Sequence, residues 1–255
     1  MRTKMQLAGV VMASTLALSS CFLAPVQLRL PSSSAQLHVA AAREHVLGRQ
    51  STLAGWKCSL QDTSTERVQI GTLDVSCMGM GTLNWPLNKQ VDADAEASMR
   101  ACIESGIDLF DTAEAYGFGT SEKLTRSCID AVGAKSAKVA TKFAPVPWRQ
   151  DASDVVNACK ASAERLGVES IDLYQIHWPD ILQPFKAFGL ERKKDEVYWD
   201  GIAQCYDQGL IQNVGVSNYG PEILARAHAA LKARGVPIVS NQINFSLLCR
   251  KQNNQ

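Results

Sequence analysis

Between Arg67 and Gln242 the chain repeats one pattern: a short apolar run, a polar or glycine break, an amphipathic stretch, then a glycine. Short apolar runs are buried strands, and stretches with a 3.6-residue apolar period are surface helices. The runs Ser76–Thr82, Ile107–Phe110, Lys138–Lys142, Ile171–His177, Asn213–Ser217 and Ile238–Gln242 predict six strands. Five helices are predicted to separate them, from about Asp92 to Ser105, from Ser121 as cap to before Gly133, from Asp151 to Leu166, around Trp199–Tyr206, and from Pro221 to Arg234. Strand–helix alternation with short connections gives parallel pairing and right-handed crossovers, which leaves a (β/α)8 barrel or an open doubly wound sheet. A doubly wound dinucleotide fold carries Gly-x-Gly-x-x-Gly after a strand. Gly79-Met80-Gly81 and Gly117-Phe118-Gly119 both lack the third glycine. The reading is therefore an α/β chain of the TIM-barrel type, incomplete, with about six β/α units. Ahead of it, Val68–Ile70 and Leu73–Val75 alternate around Gly71-Thr72, the pattern of a small hairpin.

In a parallel barrel the residue at a strand's carboxyl end faces the active-site mouth. Those ends carry Asp111, Lys142, His177, Ser217-Asn218 and Gln242, and Tyr116 follows Asp111 in the next loop. Each alone has an ordinary explanation as a cap, a solvated lysine or a structural histidine. Five polar strand ends on one side are harder to explain so. A tyrosine titrates near 10 and is a poor acid at neutral pH, so a nearby ammonium, itself held by a carboxylate, is expected to lower its pKa. A neutral histidine can orient a carbonyl oxygen. Tyr116, Lys142, Asp111 and His177 supply those four roles for moving a proton to a carbonyl oxygen. The set holds no nucleophile and no metal cluster; what it lacks is a hydride carrier.

Phe110–Gly117, Ala140-Thr141-Lys142, Asp172–Pro179, Gly215–Tyr219 and Asn241–Leu248 together resemble the aldo-keto reductase superfamily, in its bacterial, plant and channel-β-subunit branches. The resemblance implies NADPH-dependent reduction of aldehydes and ketones, with Tyr116 as proton donor, Lys142 and Asp111 as its tuners, and His177 as carbonyl orienter. It implies that Ser217, Asn218 and Gln242 hold the nicotinamide carboxamide, and that Gly81, Thr82 and Asp111 line the nicotinamide ribose. Trp85, Trp148 and Trp178 follow strands and are expected to wall a small-molecule carbonyl pocket; ordinary packing explains the first two equally well. The family barrel has eight strands, and the rhythm here stops after six, in the polar tail Arg250–Gln255. A truncated barrel lacking strands seven and eight is therefore expected, and the choice of NADP over NAD comes from the resemblance. Two rival readings stay open: a cofactor-sensing regulatory subunit, and an inert fragment.

Residues 1–50 differ in kind. Arg2 and Lys4 precede an apolar run from Leu7 to Leu18, and no acid occurs before Glu44. A charged start, an apolar core and an acid-poor continuation make a signal followed by a transit-like segment. A plastid destination is expected, with Phe22 near the cleavage point. Secretion and a lipoprotein box at Leu18–Cys21 are the alternatives. Residues 51–66 read as a linker and 67–255 as the barrel. A net charge of +1 gives no basic stripe for nucleic acid. No apolar run has the roughly 20 residues of a bilayer span. The eight cysteines are scattered without a CxxC pair, which predicts free thiols packed as small hydrophobes; a disulfide framework is the lesser alternative.

Overall fold

A computed structural model describes residues 66–85, 91–180 and 195–245; the predicted leader, most of the polar loop before the fourth helix and the polar tail lie outside them. The hairpin is present as β1 (Arg67–Ile70) paired antiparallel with β2 (Leu73–Ser76) around Gly71-Thr72. Then come β3 (Gly79–Gly81), α1 (Val91–Glu104), β4 (Leu109–Asp111), α2 (Thr120–Val132), β5 (Lys138–Phe143), α3 (Ala152–Leu166), β6 (Leu173–Ile176), α4 (Asp195–Asp207), β7 (Val214–Ser217), α5 (Pro221–Lys232) and β8 (Ile238–Gln242). Strands β3 to β8 form one sheet in sequence order, every neighbouring pair parallel. Among the described residues they are six consecutive parallel strands with five intervening helices of a (β/α)8-type barrel, the incomplete TIM-type architecture the sequence predicts.

Each helix buries its apolar stripe against the strands beside it. Met99 of α1, Leu124 and Cys128 of α2 and Phe110 of β4 form one buried cluster. A larger one joins α3, α4 and α5 to β5, β6 and β7 through Val155, Cys159, Ile202, Ala227, Tyr174 and Val216. All four residues of β6 and of β7 are buried, as befits strands covered on both faces. Among the described residues, Cys102, Cys159 and Cys205 are free thiols, the last two buried. No described helix is long and apolar enough to cross a membrane.

Four local expectations shift, each for a visible reason. The strand read at Ser76–Thr82 shortens to Gly79–Gly81, because Ser76 pairs with Arg67 in the hairpin. The strand read at Ile107–Phe110 starts later, at Leu109. The Ile107 amide is used to close α1 on the Cys102 carbonyl, and Asp108 is taken by the hairpin, receiving the Ser76 N–H at 2.8 Å and the Arg67 guanidinium at 2.9 Å. The strand at Ile171–His177 narrows to Leu173–Ile176, because Asp172 turns its carboxylate to the Val139 N–H. Ser121 does not cap α2. Gly119 does, with φ +85°, a region open to glycine, while the Ser121 hydroxyl is buried against Thr82 at 2.6 Å and Thr112 at 2.9 Å.

The hairpin lies at the amino ends of the strands. Leu73 and Val75 pack on Leu109, Ala140, Leu173 and Val239, and the Thr72 N–H donates to Asn213 Oδ1 at 2.9 Å. Because the six strands are parallel, their carboxyl ends all lie on the opposite side, and every expected site residue falls there or in the loops beyond.

Candidate active site

Lys142, the fifth residue of β5, is 1% exposed. A buried ammonium is costly unless paired and hydrogen-bonded. Its Nζ donates to Asp111 Oδ2 at 2.7 Å, to the Thr112 carbonyl at 2.8 Å and to the Tyr116 hydroxyl at 3.3 Å. Asp111 comes from the end of β4, and Tyr116 from the loop behind it, where it opens a short 3-10 turn. His177, just past β6, meets the Tyr116 ring edge-on with centroids 5.6 Å apart. The phenol, ammonium, carboxylate and imidazole read from distant parts of the sequence thus converge in one place.

The electrostatics follow from burial. Desolvation pushes the Lys142 pKa below its ordinary value, while the Asp111 carboxylate works to hold it up. Burial, with the Lys142 charge beside it, pushes His177 well below 6.5, so the imidazole is neutral. Its Nδ1 is buried without a partner among the described residues. The expected lowering of the Tyr116 pKa is overturned. Burial raises it, and Asp111 raises it further. The physical reason is that loss of water around the buried phenol favours its neutral form, and the nearby Asp111 carboxylate adds to the same direction.

The second group lies at the ends of β7 and β8. The Ser217 hydroxyl donates to the Gln242 carbonyl at 2.9 Å. Asn218, exposed and with φ +61°, donates its amide to Ser217 Oγ and to the His177 carbonyl, both at 3.0 Å, which joins this group to the first. Gln242 is exposed, and Gln175 donates to its side-chain oxygen at 3.2 Å. Gly81 pairs in register with Asp111 and has open space where a side chain would stand. Thr82 is fully buried. Its hydroxyl lies 3.0 Å from the Asp111 carbonyl and 2.6 Å from Ser121, so it holds up Asp111 from within the protein.

The three tryptophans separate. Trp178 sits on His177 with ring centroids 4.4 Å apart, its indole N–H donating to the Pro145 carbonyl. Trp85 packs into the cluster of α1 and α2, the ordinary packing the sequence allowed for. Trp148 is 72% exposed on the loop after β5.

Two ion pairs and one glutamine were not singled out in the sequence. Glu114, two residues before Tyr116, accepts the Ala144 N–H at 2.6 Å and grips Arg149 with both oxygens, fastening the loop after β4 to the loop after β5. Glu122 is fully buried between Thr141, at 2.6 Å, and Arg165, at 2.5 Å. Gln175 is a polar residue in the otherwise apolar, buried β6. That mismatch was the available signal, because a buried amide must find partners.

The residues 77–255 match the family model described as Aldo/keto reductase family. The chain is 40% identical over 198 residues to the chloroplastic pyridoxal reductase of Arabidopsis thaliana, across 72% of this chain and 52% of that protein. It is 29% identical over 194 residues to the probable aldo-keto reductase 1 of Glycine max, across 73% of this chain and 51% of that one. It spans about half the length of these curated relatives. Among solved structures, the glycerol dehydrogenase from Gluconobacter oxydans superposes with a TM-score of 0.61 at 24% identity, covering 75% of this chain and 58% of that one. An aldo/keto reductase from Klebsiella pneumoniae in complex with NADP and acetate gives 0.56 at 23%, covering 69% and 57%. At such identities these two structures speak for the fold.

Proposed function

The chain belongs to the aldo/keto reductase family, and from that premise we propose that it reduces aldehydes and ketones to alcohols with NADPH, Tyr116 giving the proton. The observation that carries this reading is the hydrogen bond from Lys142 Nζ to the Tyr116 hydroxyl, made by a lysine that is itself pinned to Asp111.

NADPH, when bound, supplies the hydride to the carbonyl carbon. The residues present fit its nicotinamide end: Ser217, Asn218 and Gln242 offer neighbouring hydroxyl and amide groups at the ends of β7 and β8, and Gly81 leaves room beside Asp111. The rest is the work of side chains. His177, kept neutral by burial, can donate one hydrogen bond to the substrate oxygen without competing as an acid. As negative charge builds on that oxygen, the Tyr116 O–H transfers its proton there. The phenolate so formed faces the Lys142 ammonium, which stabilises it. Asp111 and the Thr112 carbonyl keep that ammonium charged and aimed. The raised phenol pKa means Tyr116 is fully protonated before turnover, as a donor must be.

We take pyridoxal-type aldehydes as the first substrate class, on the 40% identity to the chloroplastic pyridoxal reductase. The same relative and the acid-poor residues 1–50 support a plastid destination, with those residues as a removable leader; fusing them to a fluorescent protein tests it. For the chemistry, Tyr116→Phe is expected to lower NADPH-linked carbonyl reduction by about 10²–10⁴-fold. Cofactor binding should stay intact. Retained turnover removes Tyr116 from the reaction.

A further inference from the structure

Four residues on four adjacent strands stand in one row. Lys142 of β5 is in register with Gln175 of β6, Gln175 with Gly215 of β7, and Gly215 with Ser240 of β8. Register partners in a parallel sheet project on the same face, so Gln175 shares the face of Lys142. Gln175 is 2% exposed. Its partners lie not on the adjacent strand but beyond it. Gln175 Oε1 accepts the Ser240 hydroxyl at 3.2 Å, and Gln175 Nε2 donates to Gln242 Oε1 at 3.2 Å, both on β8. Such a bridge across an intervening strand needs a residue without a side chain between. Gly215 is that residue: a Cβ there would stand 2.3 Å from Ser240 Oγ and 2.9 Å from Gln175 Cγ.

The direction of each hydrogen bond has a consequence. A primary amide has one accepting and one donating end. Ser240 donates to the oxygen of Gln175, which turns the Gln175 nitrogen outward. That nitrogen donates to the oxygen of Gln242, which fixes how the Gln242 amide is turned at the end of β8. We propose that Gln175, with Ser240 and Gly215, is a positioning relay that holds the Gln242 amide in the orientation that hydrogen-bonds the nicotinamide carboxamide. The relay starts beside the row position of Lys142, so the group that places the ring and the group that moves the proton are built on one stretch of sheet. This inference rests on the cofactor reading above.

The test compares two ligands by titration calorimetry: NADP+ and 2′-phospho-ADP-ribose, which carries the adenosine end without nicotinamide. Gln175→Met keeps length and apolar bulk but neither donates nor accepts. It is expected to bind NADP+ about tenfold more weakly, the scale of one misdirected hydrogen bond. Binding of 2′-phospho-ADP-ribose should match that of the wild-type chain. Unchanged NADP+ affinity, or an equal loss for both ligands, overturns the relay. Should Gln175→Met fail to fold, Ser240→Ala breaks the same relay one step upstream; it is expected to weaken NADP+ alone by two- to threefold, and no selective loss overturns the proposal. A wild-type chain that binds neither ligand overturns the cofactor reading itself, and the relay with it.

Discussion

Replacing Asp111 by Asn removes the one anion bonded to Lys142 among the described residues while keeping the side chain's shape. The ammonium then stays 1% exposed among neutral acceptors, the Thr112 carbonyl, the Tyr116 hydroxyl and the new amide oxygen, with no bonded carboxylate. Breaking a buried ion pair from one side costs about 3–5 kcal/mol. The Asp111 side chain is 21% exposed, so water recovers part of that, and about 2–3 kcal/mol is the expected loss of stability at pH 7. For a domain of this size that is roughly 5–10 °C in Tm. The loss has a pH signature. In the variant the folded-state Lys142 pKa drops further below that of the unfolded chain, near 10.4. Between those two values the unfolded state binds more protons, so the variant's stability rises with pH and its gap to wild type narrows toward pH 10. The pair Asp111→Asn with Lys142→Met replaces both charges and is expected to regain most of the stability, since a neutral core of similar volume tolerates the exchange. Carbonyl reduction should not return. Urea denaturation of wild type, Asp111→Asn and the double variant at pH 7 and pH 10 decides the matter. A deficit that is independent of pH, or a double variant no more stable than Asp111→Asn, refutes the account of Lys142 as a charged, Asp-held group.

Three further outcomes follow from other parts of the structure. His177 titrates well below 6.5 in the folded chain and near that value unfolded, so acidification charges the unfolded state first; stability should fall as pH drops below about 6.5, and His177→Gln should flatten that limb in thermal melts. Glu122→Gln leaves Arg165 without its buried carboxylate and should lower stability by about 2–3 kcal/mol, read by urea denaturation, whereas Arg126→Gln, whose Asp130 partner is exposed, should change it by less than about 1 kcal/mol. Gly71→Ala forces φ +63° on a residue with a side chain and sets its Cβ 2.1 Å from Asn213 Oδ1, so the hairpin should loosen, visible as faster amide exchange at Val75 with the rate at Val216 unchanged.

The sequence carried the order and type of the elements because those depend on neighbours within a few residues. Apolar runs of four to six and helices stopped by Gly133 and Gly167, both with positive φ, are local facts. The boundaries moved where a residue had a distant partner: Asp108 left its strand for Arg67 and Ser76, and Ser121 left its cap for Thr82 and Thr112. Asp111, Tyr116, Lys142 and His177 were legible as a set, since parallel strands bring their carboxyl ends to one side whatever the separation along the chain.

Electrostatics and support were not legible. The sign of the Tyr116 shift depends on how much water reaches the phenol and on how near the Asp111 carboxylate stands, and neither is written in residue order. The bridge from Gln175 over Gly215 to Ser240 and Gln242 depends on strand register, which one residue of slip would destroy. Composition and spacing determined which chemical groups this chain could gather at its strand ends. Only packing in three dimensions determined how those groups are charged, shielded and aimed, because a pKa and a hydrogen bond are properties of a surrounding, and the surrounding comes from parts of the chain tens of residues away.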